Sequence, residues 1–207
     1  MLGLVGNDVV DLTLEGSVQK FQDRRFLERV FTWEERQIIH SADYPDVVLW
    51  GFWAAKEASF KLIKKLNDGV VFSPQNIVVQ GNPETDPTGQ AILGPYVVAV
   101  TWTGGVGWVH ALATQPTRSS NCLFRVESRP SQQNFEQSFS ESAEVRALAQ
   151  RLLAEIGWPS TRIERARRPD GRLQWPTVFA GSTGLPVDVS LSHDGSYLAA
   201  AISYRSE

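Results

Sequence analysis

Residues 50–66 carry a strong helical pattern, which constrains the fold more than any other stretch of the chain. Apolar side chains recur there at spacings of three and four residues, which places them on one face of an α-helix. With the residue just before the stretch, they are Leu49, Phe52, Phe60 and Ile63. An Asn-Asp-Gly sequence at 67–69 is typical of a helix end. We therefore predict a long helix, from Val47 to Leu66, that packs one face against a core.

Glu57 and Lys61 lie four residues apart on this helix, so their side chains project one turn from each other. One interpretation is a solvated surface ion pair, which contributes roughly a few tenths of a kcal/mol. However, Trp50 and Trp53 continue the same row, and bulky aromatic side chains normally seek burial. The alternative is a metal and phosphate site, because a carboxylate is a hard ligand for Mg²⁺ and a lysine neutralises phosphate or moves a proton.

The composition favours a folded protein of the cytoplasm. The chain has 207 residues, of which 42% are hydrophobic, enough for one large domain or two small halves. A formal charge of −3 disfavours a general nucleic-acid binder, although basic clusters at 24–25, 64–65 and 162–168 suit an acidic partner. Cys122 is the only cysteine, so we expect no intrachain disulfide and a reducing compartment. We expect no signal peptide and no membrane span, because there is no basic leader and no run of about 18 apolar residues.

The opening stretch from Leu2 to Leu12 has the valine-rich character of a strand, and it carries Asp8 and Asp11. One interpretation is that each aspartate caps a strand end or a turn, since the neighbouring Gly-Asn step is turn-prone. The alternative is a metal ligand, because a core strand fixes the direction of a carboxylate. The residues alone leave both alternatives open.

The rest of the chain alternates predicted helices with short extended runs. Two helical pieces are expected over 19–40, with Thr32 and Glu35 as a capping box, and another helix over 141–156 should pack on a sheet. Strands are expected at 76–80, 96–102, 108–113, 123–126, 162–166, near 173, 187–191 and 197–203.

Both halves of the chain end in a pair of strands joined by a glycine-containing turn. We therefore predict an α+β fold in which two similar halves pack face to face as a pseudo-dimer. Its parts are a first half over 1–117, a linker region over 118–140 with one short strand, and a second half over 141–207. Because the two halves would lie in one chain, we expect a monomer.

Four motifs occur together in this sequence. They are Gly6-Asn-Asp8-Val-Val-Asp11, Phe31-Thr32-Trp-Glu-Glu35, Trp53-Ala-Ala-Lys56-Glu57-Ala-Ser-Phe-Lys61 and Ser190-Leu-Ser192-His193-Asp194-Gly195. Together they resemble the 4'-phosphopantetheinyl transferase superfamily, of the holo-acyl-carrier-protein synthase type. In the long single-chain members the Ser-His half comes first, so this chain resembles them with its two halves in swapped order.

The resemblance implies a transferase that moves the 4'-phosphopantetheine arm of coenzyme A onto a serine of an acyl or peptidyl carrier protein. Asp8 and Glu57 would hold Mg²⁺, with Asp11 as a further carboxylate, and the metal would neutralise charge on the leaving phosphate. Lys61 would contact the α-phosphate and manage a proton, either toward the leaving group or from the serine through water. Glu57 and Lys61 are thus the implied catalytic residues.

The resemblance also implies a set of residues that bind coenzyme A. Ser192 and His193 would grip its 3'-phosphate, since both side chains carry donors. Arg172 would contact the nucleotide, although Leu173 stands where the long members usually have proline. Lys56 is a further phosphate candidate. For His193 taken alone, the alternative is a strand-end histidine satisfied by the backbone.

Other functions fit the residues less well. A serine hydrolase triad of Ser192, His193 and Asp194 is excluded, because neighbours on an extended chain point to opposite sides. The histidines, which include His40 and His110, lack the spacing of zinc ligands. Two alternatives remain: a non-catalytic relative that binds coenzyme A or a carrier protein, and an α+β interaction domain whose charged residues are solvated.

Overall fold

The computed structural model describes residues 2–115, 120–129, 141–171 and 173–205. These residues form a mixed α+β protein, as the sequence predicts. The helices are α1 (Arg24–Val30), α2 (Trp33–Ser41), α3 (Pro45–Leu66) and α4 (Glu141–Glu155), with 3₁₀ turns at Lys20–Gln22 and Pro74–Asn76. The strands are β1 (Val5–Asp11), β2 (Val78–Gln80), β3 (Thr88–Leu93), β4 (Tyr96–Gly105), β5 (Trp108–Thr114), β6 (Asn121–Ser128), β7 (Arg162–Glu164), β8 (Thr177–Ala180), β9 (Thr183–Gly184), β10 (Asp188–Asp194) and β11 (Tyr197–Tyr204).

The strands of the described residues build antiparallel sheets. The largest has the order β1-β5-β4-β3-β2, so β1 lies at its edge. A second sheet has the order β10-β11-β6, and a small sheet has the order β7-β8-β9. β3 was not predicted from the sequence. It contains a glycine, and only one of its residues is buried, so it lacks the apolar alternation of a typical strand. β6 lies in the predicted linker region and pairs with β11.

α3 packs against β1 and β5 and forms the centre of a large hydrophobic core. It begins at Pro45, slightly before the predicted start. Proline is tolerated in the first turn of a helix, because an N–H at that position has no partner within the helix. The predicted apolar face is present: Leu49, Phe52 and Ile63 are fully buried, and Phe60 is partly buried. The helix therefore covers one face of the largest sheet.

α4 packs against the second sheet and forms a separate hydrophobic cluster with it. The predicted stripe of α4 is buried there, with Val145, Leu148, Leu152 and Leu153 in contact with strand residues. A smaller cluster that contains Val5 and Ala201 joins the two sheets. The boundaries of the two halves, at 117 and 141, stay a prediction. No helix among the described residues combines the length and apolar character needed to cross a bilayer.

Gly6 lets β1 lie directly against α3. A Cβ at this position would lie 2.0 Å from the Ala58 carbonyl oxygen, so any side chain would push the strand and helix apart. We expect Gly6→Ala to lower the free energy of unfolding by about 3 kcal/mol, measured by urea denaturation. Gly16→Ala is the matched control, because a Cβ there meets nothing within 4 Å. A Gly6→Ala protein as stable as the control would contradict the close approach.

Candidate active site

β1 and α3 bring three of the predicted site residues together. The ammonium of Lys61 donates to Asp8 Oδ1 at 2.8 Å and to the Asn7 carbonyl oxygen at 2.9 Å. Glu57 lies one turn before Lys61 on α3, close enough to interact electrostatically with both Asp8 and Lys61. A strand and a helix of the core thus hold two carboxylates and an ammonium side by side.

Asp8 and Glu57 line a cavity of about 470 Å³. Trp50, Trp53 and His193 form other parts of its wall, so the cavity lies between α3 and the second sheet. The two tryptophan rings pack edge to face, with their centroids 6.3 Å apart. The aromatic row beside Glu57 is therefore a cavity wall and not a solvated face.

Lys61 compensates the charge of the two carboxylates only in part. Burial raises the pKa of Glu57 to about 7, the charge of Asp8 adds to the rise, and Lys61 opposes it. Within the described residues no hydrogen-bond donor contacts the Glu57 carboxylate or Oδ2 of Asp8. Like charges with unused oxygens at a cavity wall fit a divalent cation, since Mg²⁺ commonly binds one or two carboxylates and completes its shell with water and substrate phosphate.

Asp11 is hydrogen-bonded within the protein, and its role as a metal ligand stays a prediction. Its Oδ1 accepts from the amide of Thr13 at 2.9 Å and from the Thr13 hydroxyl, and its Oδ2 accepts from the Ser196 amide at 2.8 Å. Burial acts to raise the pKa of Asp11, but these hydrogen bonds hold it below its ordinary value. Asp11 therefore ties the end of β1 to the turn after β10, and the described residues contain no group of three metal-ligating side chains.

Lys56 lies in the core, and its contact with phosphate stays a prediction. Its side chain is fully buried, and the ammonium donates to Glu35 Oε1 at 2.9 Å and to the carbonyl oxygens of Pro74 and Ile77. Burial lowers the pKa of Lys56, although the Glu35 charge opposes this shift. In this structure the donors of Lys56 are used inside the core.

Ser192 and His193 lie on β10 beside Asp8. The Ser192 hydroxyl donates to Asp8 Oδ1 at 2.7 Å and accepts from the Val9 amide at 3.3 Å. Its only proton is used on Asp8 in this structure, and its contact with a substrate phosphate stays a prediction. His193 has a side chain that is 42% exposed, and its Nδ1 lies 3.1 Å from a Glu141 carboxylate oxygen. Its contact with coenzyme A stays a prediction.

A second cavity, of about 240 Å³, was not predicted from the sequence, and Lys61 also lines it. Its cations are Lys61, Lys64, Lys65, Arg165 and Arg168. Asp68 is the one carboxylate among its described lining residues, and it pairs with Arg168. The basic run at 162–168 was the signal for this cavity, but nothing in that run indicates that it lies beside α3. Arg172, the predicted nucleotide contact, lies outside the described residues.

Comparison with known proteins agrees with the predicted resemblance. Two holo-[acyl-carrier-protein] synthases, from Caldicellulosiruptor saccharolyticus and Caldicellulosiruptor bescii, are 34% and 36% identical to this chain over 80 residues. The alignments cover 39% of this chain and 61% and 62% of the two relatives, so the chain spans less than two thirds of their length. The crystal structure of Thermotoga maritima holo-[acyl-carrier-protein] synthase gives a TM-score of 0.43 at 17% identity, covering 63% of this chain and 80% of that one.

A model of the 4'-phosphopantetheinyl transferase superfamily matches residues 4–113, slightly more than half of the chain. The matched segment contains β1 and α3, and with them the cluster of Asp8, Glu57 and Lys61. The chain therefore belongs to the 4'-phosphopantetheinyl transferase superfamily.

Proposed function

We propose that the protein moves the 4'-phosphopantetheine group from coenzyme A to a serine hydroxyl of an acyl carrier protein, in a Mg²⁺-dependent reaction. The observation that carries this proposal is the cluster of Asp8, Glu57 and Lys61 at the cavity. Two carboxylates with unused oxygens and a fixed ammonium are the groups that transfer from a metal-bound diphosphate requires. The names of the matched relatives support the same substrate class.

Asp8 and Glu57 would hold the metal, Asp8 through Oδ2 and Glu57 through its carboxylate. A bound Mg²⁺ supplies positive charge that polarises the diphosphate of coenzyme A. Glu57 must lose its proton to bind, so protons and metal compete for it near its pKa of about 7. Lys61 uses two of its three N–H groups on Asp8 and Asn7, which leaves the third for an α-phosphate oxygen.

In the proposed reaction the serine oxygen forms a bond to the phosphorus that carries the pantetheine arm. The bond from that phosphorus to the bridging oxygen breaks, adenosine 3',5'-bisphosphate leaves with the bridging oxygen, and the serine proton is released. Negative charge develops on the leaving phosphate. Lys61 stabilises this charge, because its ammonium is already oriented by Asp8 and needs no rearrangement.

The second cavity supports an anionic substrate of the coenzyme A type. Lys61 lines this cavity and contacts Asp8, so the cavity adjoins the proposed reaction centre. Arg165 donates through Nε to the Gln174 carbonyl oxygen at 2.9 Å and contacts no carboxylate among the described residues. Burial and the nearby charge of Arg146 both lower the pKa of Arg165. Lys65 uses its three N–H groups on Val5, Asp188 and Val189, and Lys64 and Arg168 share Asp68. Among the described residues, the free donor of Lys61 and the unpaired charge of Arg165 therefore carry the preference for a phosphate ligand.

The proposed function is tested by incubating the purified protein with coenzyme A, Mg²⁺ and a panel of apo carrier proteins. We expect the intact mass of one carrier to increase by a single phosphopantetheine group, and EDTA to prevent the increase. Native mass spectrometry of the same sample should show one enzyme chain per molecule, because α3 and β10 of one chain form the cavity together.

Two other outcomes would contradict the proposal in different ways. Coenzyme A binding without a mass increase on any carrier would favour the non-catalytic relative. If the protein does not bind coenzyme A at all, coenzyme A is not its substrate, and only the fold is shared with the family.

A further inference from the structure

Side chains of β10 cover the open edge of β1. In an edge strand only alternate amides pair with the neighbouring strand, so the others point outward and need a partner. On β1 these outward amides donate to β10 side chains: Val5 to Asp188 at 2.7 Å, Asn7 to Ser190 at 2.9 Å, Val9 to Ser192 at 3.3 Å and Asp11 to Asp194 at 2.8 Å. We call these bonds the edge ladder. Through the edge ladder, the second sheet satisfies the outward amides of β1, the strand that carries Asp8.

Ser192 differs from the other ladder residues because its hydroxyl also donates to Oδ1 of Asp8, at 2.7 Å. Lys61 donates to the same oxygen at 2.8 Å. Two donors on Oδ1 fix the rotation of the Asp8 carboxylate, and Oδ2 keeps no protein donor among the described residues. Ser192 is itself buried and does not line the cavity, so it lies behind Asp8 as seen from the cavity.

We infer that Ser192 is a positioning residue, through which the second half of the chain turns Asp8 so that Oδ2 is presented to the metal. This inference rests on the proposed function, which assigns Asp8 to the metal. It gives the serine of the Ser-His motif a role toward a carboxylate and not toward a substrate phosphate. Hydrogen-bond partners behind a metal ligand typically change metal affinity about 10–100-fold when they are removed.

The test compares Ser192→Ala with Ser190→Ala in the full chain. Ser190 is the matched control, because it accepts from an amide in the same ladder and bonds to no carboxylate in the described structure. Mn²⁺ binding is followed by electron paramagnetic resonance, and coenzyme A binding by calorimetry in EDTA. We expect Ser192→Ala to weaken Mn²⁺ binding about 10–100-fold and to leave metal-free coenzyme A binding unchanged. Ser190→Ala should bind Mn²⁺ like the unmodified protein, and it serves as the control for that measurement alone, because Ser190 lines the second cavity.

Ser192→Thr keeps a hydroxyl and is expected to restore most of the Mn²⁺ affinity, which also provides a readout if the alanine variant does not fold. Equal losses of Mn²⁺ affinity in the two alanine variants would overturn the inference. So would normal Mn²⁺ affinity with weakened coenzyme A binding in Ser192→Ala, since that result indicates a phosphate contact. If the expected Mn²⁺ pattern appears but no carrier protein gains mass, the proposed function fails while the positioning role stands.

Discussion

Glu57→Gln is expected to lower the rate of carrier loading by at least about 10³-fold. The substitution removes a negative charge while keeping the shape of the side chain, so the proposed metal site would lose one of its two carboxylates. Charge stabilisation by a metal ion contributes several kcal/mol to a transition state, and each ~1.4 kcal/mol is a tenfold change in rate. The measurement is the initial rate of mass increase of the carrier protein at saturating coenzyme A.

The same variant is expected to be more stable than the unmodified protein when no metal is present. The pKa of Glu57 rises from an ordinary 4.5 to about 7 on folding, so the folded protein keeps a proton that the unfolded chain loses. Stability is therefore full below about pH 4.5, falls as the pH rises, and stays low above about pH 7. When fully developed, this difference in pKa corresponds to about 3 kcal/mol. Glutamine carries no charge, so the stability of the variant should not fall in this way as the pH rises.

The stability prediction is measured by urea denaturation in EDTA at pH 5 and pH 8. The difference between the Glu57→Gln and unmodified proteins should be large at pH 8 and small at pH 5. Glu34→Gln is the control, since it removes an exposed glutamate of α2. Its charge lies in the first turn of the helix, so its loss should cost at most about 1 kcal/mol, equally at both pH values, and leave the rate unchanged. A pH-independent difference, or a variant that keeps full activity, would contradict the placement of Glu57 as a buried metal ligand.

Lys56→Met is expected to destabilise the protein by about 3–5 kcal/mol. The substitution keeps the length of the side chain but leaves the Glu35 carboxylate, which is 1% exposed, without its cation. Two buried carbonyl oxygens, of Pro74 and Ile77, also lose their donor. The free energy of unfolding from urea denaturation measures the effect, and activity should fall only as far as the folded fraction does.

A second variant separates this structural role from the phosphate contact that the sequence predicted. Lys56→Met combined with Glu35→Gln removes both charges, while the glutamine oxygen can still accept from the Val79 amide that Glu35 binds at 2.8 Å. Glutamine has one acceptor oxygen, so the capping bond from the Thr32 amide is lost. We expect the double variant to recover part of the lost stability, because no unpaired charge stays buried. A stable Lys56→Met protein with weakened coenzyme A binding would instead support Lys56 as a phosphate ligand.

Local sequence patterns predicted most helices and strands because short-range physics decides them. The capping box of α2 is formed as expected, with the Thr32 amide and the Glu35 side chain 2.9 Å apart. The hairpin of β4 and β5 is also present. β3 escaped prediction because pairing with β2 and β4 stabilises it, and such pairing depends on distant residues.

The candidate site was predictable only where spacing along one helix decides proximity. Glu57 and Lys61 are neighbours in any α-helix, since four residues span about one turn. Asp8 was assigned to the same site because its motif resembles that of the family, and no periodicity in the sequence places it near α3. The basic cavity was not predicted, because it forms where the run at 162–168 meets α3, and that meeting leaves no periodic signal in either stretch.

By itself, the sequence determined most of the helices and strands, the family and the pair of charged residues on α3. The tertiary structure decided which charged and polar groups are consumed inside the protein. Lys56 and Glu57 are adjacent in sequence, yet successive helical residues point about 100° apart, so one enters the core and the other lines the cavity. Ser192 and Asp8 are 184 positions apart, and only the packing of β10 on β1 brings the hydroxyl to the carboxylate.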